Sequence, residues 1–182
     1  EAYKMANRKF HPENTVIEIA NAENAIVGKN QFAIMAGPCS VESRDQITGI
    51  ARAVKASGAT FLRGGAFKPR TSPYAFQGLG EEGLKLAKNT ADKYGMCVIS
   101  EVMDISQIPL MLDYTDILQV GARNMQNFNL LKELGHINNP ILYDMFYSID
   151  RAITYGKEIK EKYEKGYIVL CDRYTISNAI YR

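Results

Sequence analysis

The sequence predicts an α/β protein in which a parallel sheet is covered by helices, organised as part of a barrel. Two observations carry that prediction. Four short apolar stretches are each followed by a stretch with helical apolar spacing. Polar and charged residues then return at the same end of each apolar stretch, where parallel α/β proteins place their chemistry. Eight such units would close a (β/α)8 barrel, and four clear ones are visible.

The elements follow in order. Residues 1–31 form a polar extension, with a short strand signal in NTVIEIA (Asn14 to Ala20) and a turn in GKN (Gly28 to Asn30). FAIMAG (Phe32 to Gly37) reads as the first buried strand. The next stretch, Ser43 to Gly58, has apolar spacing at Ile47, Ile50, Ala51 and Val54, with Ser43 as N-cap and Gly58 past the end. TFLR (Thr60 to Arg63) is the second strand, and its helix runs from Glu81 to Gly95. MCVIS (Met96 to Ser100) leads to a helix near Ile105 to Tyr114, and DILQVG (Asp116 to Gly121) to one in Asn127 to Gly135. A barrel portion is therefore expected over residues 32–138, with a separate segment over 139–182.

Composition narrows the function. A 46% hydrophobic and 23% charged chain of 182 residues has the balance of a soluble globular protein. The net charge of +2 gives no reason to expect nucleic acid as a partner, so anion chemistry must come from local clusters. No apolar run approaches the roughly 18–20 residues that span a bilayer, and no signal peptide is expected. Three cysteines, Cys39, Cys97 and Cys171, do not suggest a disulfide framework, so a cytoplasmic setting is expected. Cys97 and Cys171 lie within apolar strand signals and read as packing residues.

The strand ends bring together Cys39, then Arg63 with Lys68 and Arg70, then Glu101, then Arg123. The plain alternative is that strand ends are where any polar residue returns to water. Arginine forks take carboxylate or phosphate oxygens in pairs, and lysine supplies a compact charge. Arg63, Lys68 and Arg123 suit a phosphorylated carboxylate, while Arg70, Thr71 and Ser72 suit a second phosphate. Pro69 and Pro73 stiffen the loop GGAFKPRTSPYAFQG (Gly64 to Gly78) that carries them.

The stretches AGPCSVES, LRGGAFKPRTSPYAFQGLGEEGL, ADKYGMCVISEV and LQVGARNMQNFNLL resemble 3-deoxy-7-phosphoheptulonate synthase (DAHP synthase), in the class related to the KDO-8-phosphate synthases. The resemblance runs from about Lys4 to about Gly135. It implies a (β/α)8 barrel that condenses phosphoenolpyruvate with erythrose 4-phosphate and releases phosphate, opening the shikimate route to aromatic amino acids. It implies that Arg63, Lys68 and Arg123 bind phosphoenolpyruvate, with Lys68 also catalytic. Lys68, Pro69, Arg70, Thr71 and Ser72 would hold erythrose 4-phosphate, and Glu101, Gly121 and Ala122 would also line the substrates. Cys39 would ligate a divalent metal (Mn, Fe, Co or Zn) that polarises the aldehyde. KPRTS, rather than a KANR-like pattern, favours the erythrose-phosphate branch, and Cys after GP favours the metal-dependent type.

The resemblance also leaves gaps. The later strands of the family, which bring a KRG-like lysine, a further arginine and the remaining metal ligands, have no counterpart. The expected fifth strand instead reads NPILYDMFYSIDRA. His11 and His136 match no ligand motif. From there MFYSIDRAITYGKEIKEKYEKGYIVLCDRYTISNAIYR resembles the middle of a thymidylate kinase, a helix–strand piece of a P-loop kinase-like fold. By that resemblance Tyr147 stacks on thymine, Arg151 bonds its edge, Asp172 and Arg173 sit near phosphate and magnesium, and Asn178 and Tyr181 meet the nucleotide. No G-x-x-x-x-G-K-[ST] loop accompanies it. The expectation is thus a chimera of a truncated synthase and a truncated kinase, joined near Gly135 to Leu142 and inactive as it stands. A partial barrel would expose two sheet edges and an inner apolar face, which favours self-association or a homo-oligomer. The alternatives are a kinase fragment or a non-catalytic phosphate-binding remnant.

Overall fold

The computed structural model describes residues 32–143, together with 8–10, 12–14, 16–19 and 25–28. Five parallel strands pair in strict chain order: β3 (Met35–Ala36), β4 (Phe61–Arg63), β5 (Cys97–Glu101), β6 (Ile117–Val120) and β7 (Ile141–Tyr143). Before them β1 (Ile17–Glu18) and β2 (Ile26–Val27) form an antiparallel hairpin. Helices α1 (Arg44–Ala56), α2 (Glu81–Lys93), α3 (Ile108–Tyr114) and α4 (Phe128–Leu134) occupy the four crossovers. Parallel crossovers are right-handed, so an unreversed strand order places every helix on one face. That is the winding of a barrel wall, whereas a doubly wound sheet reverses its order.

The helix boundaries have local causes. Ser43 caps α1, its hydroxyl accepting from Gln46 N at 3.2 Å, and Gly58 follows the end at φ +92°. Asp104 and Gln107 form a capping box at the 3-10 turn Ile105–Gln107, which runs directly into α3. Pro109 sits in the first turn of α3, where no backbone donor is missed.

Alternation along the strands separates two cores. Leu62, Val98, Leu118 and Val120 point to the helix layer, packing with Ile47, Leu84, Met111 and Leu130. Phe61, Cys97, Ile99 and Ile117 point to the other face, the interior of a barrel wall. The exposed inner face expected from sequence is in fact covered at one end. Ala25, Ile19 and Val27 of the hairpin region pack onto it, a long-range closure that strand and helix periodicity does not encode.

The fifth strand also differs from expectation. Ile141–Tyr143 pairs with β6 in parallel register, Gln119 opposite Leu142, so the sheet continues past residue 138. The apolar strand signal around Cys171 lies outside the described residues. Among the described residues no helix is long and apolar enough to cross a membrane.

Cys97 is a packing residue, as its apolar surroundings suggest. Burial first, and then the nearby Asp116 carboxylate, push its thiol up to about 12, against an opposing pull from Lys88. A thiol held protonated in the fold favours the folded state until the unfolded chain can ionise. That contribution is complete below about pH 9 and is lost as pH rises toward about 12. In alkylation at pH 8 followed by peptide mass spectrometry, exposed Cys39 is expected to label readily. Cys97 is expected to label only once urea has unfolded the chain.

Candidate functional site

Three inner-face positions at the carboxyl ends of adjacent strands are polar: Arg63 on β4, Glu101 on β5 and Gln119 on β6. The register sets Glu101 opposite Gln119 and Arg63 opposite Ile99, so the arginine side chain reaches toward both polar groups. Its Nε donates to Gln119 Oε1 at 2.9 Å, and its Nη2 donates to Glu101 Oε2 at 3.3 Å. Nη1 donates to the carbonyls of Pro38 at 3.2 Å and Cys39 at 3.0 Å, on the loop leaving β3. One guanidinium thus ties the carboxyl ends of β3, β5 and β6 to that of its own strand. Side-chain exposures of 19% for Arg63 and 14% for Glu101 put the pair at the mouth of the interior, partly shielded from water.

Lys68 comes from the loop after β4. Its Nζ donates to the Cys39 carbonyl and lies 3.1 Å from Cys39 Sγ. Arg63 and Lys68 therefore converge on one carbonyl, and only Glu101 opposes their charge within this group of contacts. Gly65 makes the approach possible, because a Cβ there would stand 2.8 Å from the Cys39 carbonyl and 2.9 Å from Lys68 Nζ. Gly121 does the same for Glu101, since a Cβ would collide with its carboxylate.

The remainder of the loop is closed on itself. Lys68 N donates to Gln77 O at 2.8 Å and Gly80 N to Ala66 O at 3.0 Å, which pairs the two arms. Arg70 Nε donates to Phe76 O at 3.3 Å, and the Ser72 hydroxyl accepts from Tyr74 N at 3.3 Å. Thr71 is exposed, Pro69 is half-buried, and Tyr74 at the tip is 97% exposed. Arg123 and Ala122 stand exposed on the 3-10 turn Ala122–Asn124 after β6. No described contact links Arg70, Thr71, Ser72 or Arg123 to the Arg63–Lys68 group.

Gln119 is the site residue that the sequence analysis did not single out. Its signal was present: an amide within the apolar run DILQVG, two positions after inward-facing Ile117 and so on the same face. An open cleft of about 400 Å³ between α1 and α2, lined by Arg44, Arg52 and Lys93 among others, is on the helix side of the wall, away from these strand ends.

The resemblance implies a divalent metal on Cys39. The donor set does not complete such a site: the group beside the thiol is the Lys68 ammonium, and no cluster of three or more His, Cys, Asp or Glu suited to a metal occurs among the described residues. His136 is exposed, and His11 lies outside the described residues. So do Tyr147, Arg151, Asp172, Arg173, Asn178 and Tyr181.

Comparison with known proteins identifies the family. Residues 14–173 match the DAHP synthetase I family, a span that crosses the expected join and enters most of the kinase-like stretch. The chain is 44% identical over 172 residues to phospho-2-dehydro-3-deoxyheptonate aldolase of Thermotoga maritima, covering 94% of this chain and 50% of that protein. A 2-dehydro-3-deoxyphosphooctonate aldolase of Campylobacter jejuni is 35% identical over 155 residues, covering 74% of this chain and 55% of that one. The crystal structure of the Thermotoga maritima DAHP synthase superposes with a TM-score of 0.72 at 48% identity, over 77% of this chain and 40% of its own. A truncated form of 3-deoxy-D-arabino-heptulosonate 7-phosphate synthase from the same organism gives a TM-score of 0.68 at 43% identity, over 79% and 50%. The chain spans about half the length of the curated relatives it matches. With the family match extending over most of its residues, the chain belongs to the DAHP synthetase I family.

Proposed function

We propose that this chain takes part in the condensation of phosphoenolpyruvate with erythrose 4-phosphate to 3-deoxy-D-arabino-heptulosonate 7-phosphate, with release of phosphate, and that its strand-end cations hold phosphoenolpyruvate. The convergence of Arg63 and Lys68 on the Cys39 carbonyl carries this reading. Arg63 has four described contacts against the five donors of a guanidinium, which leaves capacity for a ligand oxygen. Lys68 adds a mobile point charge beside it. A compact acid bearing a phosphate satisfies both, and Glu101 limits how much negative charge the pocket accepts.

Arg70, Thr71 and Ser72 are assigned to the erythrose 4-phosphate end, and Arg123 to phosphoenolpyruvate. The outward position of these residues fits side chains that close on a ligand after it arrives. Cys39 is the described residue that would donate to a divalent metal. Oligomeric assembly through the sheet edges belongs to the same proposal.

Isothermal titration of the full chain with phosphoenolpyruvate tests the reading. Saturable binding is expected, weakened at least tenfold in Arg63→Lys, which keeps the charge but loses the fork. Equal binding by both proteins would overturn the assignment. A phosphate-release assay with both substrates and manganese then separates an enzyme from a phosphate-binding remnant.

A further inference from the structure

We propose that Gln119 is a positioning residue that fixes the Arg63 guanidinium without neutralising it, and so sets the site's affinity for anions. This rests on the reading that Arg63 meets the anionic substrate. Gln119 is 7% exposed and sits on an interior strand of the sheet, flanked in register by Glu101 and Leu142. Its Oε1 takes the Arg63 Nε–H at 2.9 Å, the shortest of the described contacts to that guanidinium. Rotation of the fork about its long axis is thereby blocked, because Nε is held on one side and both terminal nitrogens on the others.

The chemical type of the acceptor matters as much as its place. An apolar residue would leave a shielded N–H without a partner and release the fork. A second carboxylate would hold the fork equally well. It would also match Arg63 and Lys68 with two negative charges, removing the positive excess that draws in an anion. A neutral amide satisfies both demands. Arg63 is held by one charged acceptor and three neutral ones: Glu101, the Gln119 amide and two backbone carbonyls.

Two variants of the full chain separate these roles. Gln119→Glu keeps shape and acceptor but adds charge; Gln119→Met keeps length but removes the acceptor. Each is titrated with phosphoenolpyruvate. The Arg63 Nε–H signal is followed by ¹⁵N-edited NMR, identified by its disappearance in Arg63→Lys. Wild type is expected to show a slowly exchanging Nε–H. Gln119→Glu should retain that signal yet bind roughly tenfold or more weakly, and Gln119→Met should lose the signal and also bind more weakly. A structural role alone would not pair a preserved signal with lost affinity.

Wild-type affinity in Gln119→Glu would overturn the proposal, as would a rapidly exchanging Nε–H in the wild type. If the wild type binds no phosphoenolpyruvate, the substrate reading fails. The affinity claim for Gln119 falls with it, while a slowly exchanging wild-type signal would still support the positioning contact. Should Gln119→Met not fold, the isosteric glutamate variant and the wild-type signal decide the matter.

Discussion

Arg63→Ala is expected to abolish phosphoenolpyruvate binding and to destabilise the fold together. The substitution removes the donor for Glu101, Gln119 and two backbone carbonyls at once. It leaves a carboxylate of low exposure facing polar groups with no cation between them. Breaking one partner of a well-buried pair costs about 3–5 kcal/mol, and the residual exposure here lowers that to about 2–4 kcal/mol. Urea unfolding followed by circular dichroism provides the check, with a lowered midpoint and an unchanged slope. A stability change below about 0.5 kcal/mol, the range of an ordinary surface substitution, would mean that the guanidinium does not join the strand ends in solution.

Gly78→Ala should have a comparable effect by a different route. Gly78 has φ +96°, and a Cβ there would run into the backbone carbonyl of Ala66 rather than into a side chain able to turn aside. The same carbonyl accepts from Gly80 N, and next to it Lys68 N pairs with Gln77 O. The two arms of the loop must therefore separate, at a cost of about 3 kcal/mol or more. Limited trypsinolysis should then cut after Arg70 much faster than in the wild type, because the loop base no longer restrains the segment. Gly49→Ala supplies the control. Nothing lies within 4 Å of its added Cβ, so the helix propensity of alanine should leave stability unchanged or raise it by up to about 1 kcal/mol. If Gly78→Ala and Gly49→Ala behave alike, the loop is not closed in the manner described.

Local chemistry was the legible part of this protein. Ser43, by its hydroxyl, and Gly58, by its positive φ, bracket α1 as their residue types predict, because a cap is settled by atoms a few residues apart. The strand cores in TFLR, MCVIS and DILQVG likewise fell where short apolar runs placed them. Among the strand-end residues, Arg63, Lys68, Glu101 and Cys39 do come together, since parallel winding delivers all carboxyl ends to one side. Gln119 escaped notice because a lone amide in an apolar run declares its partner only when the register with β5 and the reach of Arg63 are known. The cover supplied by Ala25 and Val27 escaped for the same reason: it depends on contacts with Phe61 and Ile99, far along the chain. Arg70 and Arg123 show the opposite limit, since a shared charge and a shared sheet end do not by themselves make a contact.

Pairing in strict chain order has a kinetic corollary. Every strand from β3 to β7 finds its neighbour one crossover away, so no early segment must wait for a distant one before the wall can grow. Loop-closure entropy is then met in small instalments, and a nascent polypeptide emerging from the ribosome can acquire its layers progressively, each completed unit serving as template for the next.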